Sequence, residues 1–117
     1  MAWTVWFEDA FEAELLALPS NVRTPLLAVA RMLEIYGPQL GRPHVDTLKG
    51  SRFGNMKEIR FDAADGVWRV AFAFDPERKA VLLVAGDKSG INEGRFYRRL
   101  IDRADTRYAA HLRRLLH

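Results

Sequence analysis

Arg60 and Arg69 are the side chains whose types and spacing most plainly invite chemistry. In Asn55 to Asp62 the apolar Ile59 and Phe61 interleave with Glu58 and Arg60, and in Val67 to Phe74 Arg69 interrupts an alternation of Trp68, Val70, Phe72 and Phe74. Period two is the signature of half-buried strands. Ala63-Ala64-Asp65-Gly66 supplies a turn, and matching the apolar faces sets Ile59 opposite Val70 and Phe61 opposite Trp68. Arg60 then faces Arg69. Like charges in that relation cost a few tenths to about 1 kcal/mol, which an anion between them would offset. A phosphate suits two guanidinium forks, whose paired N–H groups match its oxygens. Glu58, on the same face, is the alternative guest and would leave only an exposed ion cluster. Without any anion, replacing either arginine by Ala is expected to leave stability unchanged or slightly raised.

Other candidate groups are scattered. Lys57 points to the opposite face by strict alternation, so its use in the same site requires a bulge or a strand end. Gly37 to Gly54 is rich in Gly and Pro and carries His44, Lys49 and Arg52. It reads as a long loop, and such loops are often functional. His44 has no partner at metal-ligand spacing and is read as solvated, whereas Lys49 and Arg52 could steer a nucleic acid. Arg95, Arg99, Arg103 and Arg107 recur every four residues, an arrangement that mildly disfavours an isolated helix. They form either a solvated face partly relieved by Asp102 or a docking face for RNA or an acidic protein. Tyr97, Tyr108, His111 and His117 are further proton-donor candidates, with the two tyrosines aligned to a packing stripe and so assigned to the core.

The elements that must position these groups follow from periodicity. Trp3 to Glu8 alternates as a strand, and Asp9 is placed to cap a helix to Leu18 carrying Phe11, Leu15 and Leu18. Pro19 ends it, and Ser20 caps a second helix with Val22, Leu26, Leu27, Val29, Ala30, Leu33 and Ile35, stopped by Gly37-Pro38. Val81 to Ala85 is apolar on both faces, as in the middle of a covered sheet, and follows a turn at Asp75 to Lys79. Asn92 to His117 reads as one amphipathic helix whose stripe is Phe96, Leu100, Ile101, Ala104, Tyr108, Leu112 and Leu115. The result is a single α+β domain over residues 1–117, ordered β-α-α-β-β-β-α. Its mostly antiparallel twisted sheet is closed by an N-terminal helical hairpin and a C-terminal helix.

Composition is consistent with that frame. A chain of 117 residues, 49% hydrophobic, supports one continuous core and not two. Without cysteine it has neither a disulfide framework nor a thiolate metal site. No basic signal region opens it and no apolar run reaches membrane-spanning length, so a cytoplasmic protein is expected. The net charge of +3 is unevenly spread: residues 1–41 carry two basic and five acidic side chains, residues 86–117 eight and four. A cationic C-terminal part suits a polyanion or an acidic protein.

The order Leu48-Lys49-Gly50, Met56-Lys57-Glu58-Ile59-Arg60, Trp68-Arg69-Val70-Ala71-Phe72, then Leu82 to Gly90 with Lys88 resembles the RelE/ParE superfamily of toxins. More narrowly it is similar to the HigB-like, phage-derived branch. The resemblance covers nearly the whole chain. It implies the toxin of a type II toxin-antitoxin pair, an mRNA endoribonuclease on translating ribosomes that uses no metal or other cofactor. It matches Arg60, Arg69 and Lys88 to the family's catalytic positions; Glu58, the carboxylate nearest them, joins them as general base or as the group that orients the arginines, and Lys49, Arg52, Lys57, Arg95 and Arg99 are the RNA-contact candidates. The implied partners are mRNA on the ribosome and a cognate antitoxin of helix-turn-helix type, with no membrane. Two departures leave the general acid and base unassigned: Ser89-Gly90 follows Lys88 where relatives carry a second lysine, and no histidine joins the strand-end cluster. The superfamily also holds gyrase-inhibiting toxins of the same fold, which makes a gyrase poison the alternative function, with an inactive relic that only binds its antitoxin as a third.

Overall fold

A computed structural model describes residues 3–116. The chain runs β1 (Thr4–Phe7), α1 (Asp9–Ala17), α2 (Ser20–Tyr36), a 3-10 turn (Gly37–Gln39), β2 (Val45–Thr47), β3 (Met56–Ala63), β4 (Gly66–Phe74), β5 (Lys79–Asp87) and α3 (Glu93–Leu115). The strands form one sheet in the order β1-β5-β4-β3-β2, with β1 parallel to β5 and the other pairs antiparallel. The expected α+β architecture is present with one addition. The segment read as a long loop contains β2, a three-residue edge strand paired with β3.

Local chemistry sets the element ends. Glu8, not Asp9, caps α1: its carboxylate accepts the Phe11 N–H, and Asp9 is the first helical residue. Ser20 lies inside α2 behind Pro19 and makes no side-chain cap. Gly37 ends α2 at φ +55°, and a Cβ there would lie 2.3 Å from the Trp3 indole, so both conformation and contact require glycine. The β3–β4 connection is a two-residue turn with Ala64 and Asp65 both at positive φ, the geometry that matches strand twist in tight hairpins.

Alternation then divides the sheet between two cores. Val45, Ile59, Val70, Phe72 and Leu82 face α1 and α2, packing with Phe11, Leu15, Leu26 and Leu33. Met56, Ala71, Ala73, Val81, Leu83 and Val84 face α3, packing with Phe96, Leu100, Ala104 and Tyr108. A register shift at Ala71/Phe72 brings both Leu83 and Val84 to the α3 side. Two polar ties fix the C-terminal half of α3. Arg107 donates bidentately to Glu14 at 2.8 and 2.7 Å and to the Leu83 carbonyl at 2.7 Å. His111 Nε2 lies 2.7 Å from the buried carboxylate of Asp75. Arg107 is therefore a structural clamp rather than the end of a docking row. His111 and Tyr108 are buried in the same region and reach no groove, which removes both from the proton-donor candidates. His117, also proposed as a donor, lies outside the described residues.

Candidate active site

Register places the arginines as expected: Ile59 pairs with Val70, Arg60 with Arg69 and Phe61 with Trp68. Because Ile59 and Val70 pack toward α1 and α2, Arg60 and Arg69 share the other face with Glu58. The α3 core ends at Phe96, and beyond it this face opens as a groove between the β2 loop and the start of α3.

Glu58 is buried at the centre. Its Oε2 accepts from Arg60 Nη1 at 2.9 Å, its Oε1 accepts from the Tyr97 hydroxyl at 2.8 Å, and Arg69 Nε lies 3.9 Å from Oε1. The last distance is an ion pair but too long for a hydrogen bond. Arg69 donates from Nη1 to the Trp68 carbonyl at 2.8 Å, and its Nε is the one buried side-chain nitrogen or oxygen among the described residues that has no partner. Burying a carboxylate here is tolerable because two guanidinium groups and a phenol compensate it. The condition under which losing either arginine is expected to leave stability unchanged, that no anion lies between them, is therefore not met. An intramolecular anion already sits between them, and removing Arg69 would strip Glu58 of a buried counter-charge.

Burial raises the pKa of Tyr97, and its hydrogen bond to ionised Glu58 acts in the same direction. The phenol holds its proton. Lys88, just after β5, stands at the rim with Nζ 2.8 Å from Glu93 Oε1 and 5.8 Å from the Tyr97 ring centre. That hydrogen bond is the main cause of Glu93's lowered pKa, and the charges of Arg69 and Arg60 add to it. On the opposite bank Arg42 holds Asp46 through Nε and Nη2 at 3.0 and 2.8 Å. The Thr47 N–H does most to lower the pKa of Asp46, with the Arg42 hydrogen bond second.

Two pockets meet at Arg42 and Arg60. One is lined by Leu48, Lys49, Glu58, Glu93 and Tyr97, the other by Pro43, His44, Phe61, Asp62 and Arg69. Arg60, Arg69, Glu58, Lys88 and Lys49 are thus brought together. The other RNA-contact candidates are not. Lys57 pairs with Phe72 and Thr47 on the helical-hairpin side. Arg52 lies over the Phe53 ring, with its backbone tied to Asp105. Arg95 is exposed in the first turn of α3, and Arg99 lines one groove with Arg103 beside Val84 to Asp87 and a second that meets the site only at Gly94 and Tyr97. Two groove residues escaped the sequence reading, His44, assigned to solvent, and Glu93; Tyr97, a proton-donor candidate assigned to the core, also lines the groove. Recognising Val45 as a partner of Ile59 would have exposed His44, because the next residue outward must face Arg60.

Comparison with known proteins is decisive at the level of family. Residues 13–109 match the family described as "Phage derived protein Gp49-like (DUF891)". The chain belongs to that family. The sequence is 45% identical over 91 residues to the proposed toxin HigB3 of Mycobacterium tuberculosis, covering 78% of this chain and 77% of the relative. It is 40% identical over 113 residues to the proposed toxin HigB2 of the same organism, covering 96% of this chain but only 55% of that relative. Among solved structures, a double arginine-to-alanine variant of E. coli toxin RelE in the free state superposes with a TM-score of 0.62. That match has 16% identity and covers 87% of this chain and 96% of the other. The Gp49-like chain is accordingly a HigB-type toxin homologue with a RelE-like fold. Among its described residues no helix is long and apolar enough to cross a membrane.

Proposed function

We propose that this HigB-like toxin is an mRNA endoribonuclease acting on translating ribosomes, with the groove over β3 and β4 as its active site. The observation that carries the reading is the Arg60–Arg69 pair gathered around one carboxylate. Two guanidinium charges against Glu58 leave the cluster one positive charge in excess, while Arg42–Asp46 and Lys88–Glu93 balance on either bank. A phosphodiester neutralises that excess. When its 2'-hydroxyl attacks the phosphorus, a second negative charge develops, and preorganised arginines stabilise it more than they stabilise the ground state.

Arg60, the more open of the pair, grips the phosphate oxygens, and Arg69 supplies buried positive charge from behind. Glu58 orients both guanidinium groups. With two arginines and Tyr97 already on its oxygens it is poorly placed as a free base. Lys49 and Lys88 guide the backbone at the groove's ends. The products are a 2',3'-cyclic phosphate and a 5'-hydroxyl, and the chemistry needs positioning, charge stabilisation and two proton transfers. So shallow a groove has little surface for orienting RNA by itself, which suits a substrate already held by the ribosome. Exposed Arg95 and Arg99 on α3 are then available for the phosphates of ribosomal RNA. A helix-turn-helix antitoxin would silence the protein in the cytoplasm by covering the cationic groove or blocking ribosome entry.

The test is brief induction without the antitoxin, followed by transcript mapping. Growth arrest with new 5'-hydroxyl ends inside translated regions is the expected result. Intact transcripts together with accumulated gyrase–DNA cleavage complexes would replace this reading with gyrase inhibition.

A further inference from the structure

We infer that His44 is the general base of the groove, taking the proton from the attacking 2'-hydroxyl. This rests on the nuclease reading and deepens it by filling the role that sequence left vacant. Val45 pairs with Ile59, so His44 is the next residue outward on the line of Arg60, and the Arg60 N–H donates to the His44 carbonyl at 2.8 Å. Arg60 in turn pairs with Arg69. The three residues make a row from the residue just before β2 across β3 and β4; directly opposed side chains in a sheet stand about 5 Å apart at Cβ.

Elimination among the neighbours points the same way. The charged and titratable groups lining the His44 pocket are Arg42 from the loop, Arg60 and Asp62 from β3 and Arg69 from β4; the adjoining pocket adds Lys49, Asp46, Glu58, Tyr97 and Glu93, the last held by Lys88. The arginines cannot accept a proton. Asp46 is engaged by Arg42 and its own neighbour's N–H, and Glu58 by Arg60, Arg69 and Tyr97. Asp62 is exposed to solvent and pairs with Val67, beyond the Arg60–Arg69 row. Imidazole is the side chain suited to accept a proton near neutrality.

Geometry also separates the two proton transfers. The His44 pocket and the Tyr97 pocket share only Arg42 and Arg60. A phosphate on Arg60 therefore has an imidazole on one side and a phenol on the other. In-line displacement needs its entering and leaving oxygens on opposite sides of phosphorus. His44 accepts the 2'-hydroxyl proton as the 2'-oxygen bonds to phosphorus. The bond from phosphorus to the 5'-oxygen breaks, and that oxygen takes the proton of Tyr97. Solvent then returns a proton to Tyr97 and removes one from His44.

The experiment is single-turnover cleavage of mRNA on programmed ribosomes, measured across the pH range around neutrality, with melting curves to establish folding. The wild type is expected to show a rate that rises with pH on the acid side of its optimum, as a general base requires. His44→Gln should lose on the order of 10² to 10⁴ in rate and the rising limb with it, and added imidazole should restore cleavage to His44→Ala. Tyr97→Phe should be slow but keep the limb. A folded His44→Gln with wild-type rate and profile, while Arg60→Ala is inactive, overturns the assignment and leaves the nuclease reading intact. Absence of cleavage by the wild type overturns both.

Discussion

Two clusters of buried charge lie toward opposite ends of β4, and they are finished to different degrees. At the far end, Asp75 has a fully buried side chain with a hydrogen-bond partner on each oxygen. Its Oδ1 takes the N–H groups of Glu77 and Lys79 at 2.9 Å each, and its Oδ2 meets His111 at 2.7 Å. This locks the β4–β5 turn to α3. At the groove end, Glu58 has comparable burial, yet Arg69 Nε is left without a hydrogen bond and the Arg60 side chain is 21% exposed. A buried donor without a partner costs roughly 1–3 kcal/mol. The Asp75 end carries no such cost, and the proposed site lies at the end that does. Burial and charge alone do not separate the two clusters; the degree of hydrogen-bond completion does.

The contrast can be broken from either end. The largest effect is expected at the groove: Arg69→Ala should lower cleavage by on the order of 10² to 10³, enough to abolish growth arrest at modest expression. Arg113→Ala, on the exposed last turn of α3, should remain fully toxic. Toxicity titrated against induction level reads both, and an Arg69→Ala variant as toxic as wild type would leave the groove with no special status. Asp75→Ala should do the converse. Losing a buried partner of this kind costs about 3 kcal/mol, seen as a lower urea midpoint, while cleavage per folded molecule stays at the wild-type level.

A subtler distinction concerns Glu58→Gln. The amide keeps an acceptor for Tyr97 but leaves two guanidinium groups without their counter-charge, which should cost roughly 1–3 kcal/mol. Inorganic phosphate should recover part of that loss by binding the folded state. Thermal melting with increasing phosphate should raise the variant's midpoint more than the wild type's. Equal shifts would mean that Glu58 is not standing where an anion binds.

The smallest effect is at the Arg107 clamp. The hydrogen bond from Arg107 is the main cause of Glu14's lowered pKa. A carboxyl whose folded value lies below its unfolded value adds stability above the unfolded value and loses it as pH falls through the folded one. The difference in melting temperature between wild type and Glu14→Gln should thus be full near neutrality and vanish in acid below the ordinary glutamate range. Glu14 is partly solvated, so the difference should be small. A difference independent of pH would refute the linkage.

Sequence alone revealed what local periodicity encodes. Ile59, Phe61, Trp68 and Val70 alternate cleanly around a four-residue turn signal, and a one-residue slip would bury both arginines in an apolar core, so the Arg60–Arg69 register was readable. Val45-Asp46-Thr47 is too short to carry a period and is a strand only because Lys57, Glu58 and Ile59 lie beside it. That hid His44. Tyr97 does lie on the packing side of α3, as its spacing implies, but its hydroxyl projects past the end of the core to Glu58. Nothing in a helical repeat reveals such an end. Arg107 matched the spacing of Arg95 and Arg99, and only the docking of α1 against α3 turned it from a surface cation into a clamp.

The most direct test of the central claim is single-turnover cleavage of mRNA on programmed ribosomes by the Arg60→Ala, Arg69→Ala double variant, with ribosome binding and thermal melting measured on the same preparation. A folded variant that still binds ribosomes but cleaves at least on the order of 10³ more slowly than wild type is the predicted result. Wild-type cleavage by that folded variant would contradict the account, and the arginine pair would then be only a structural ion cluster.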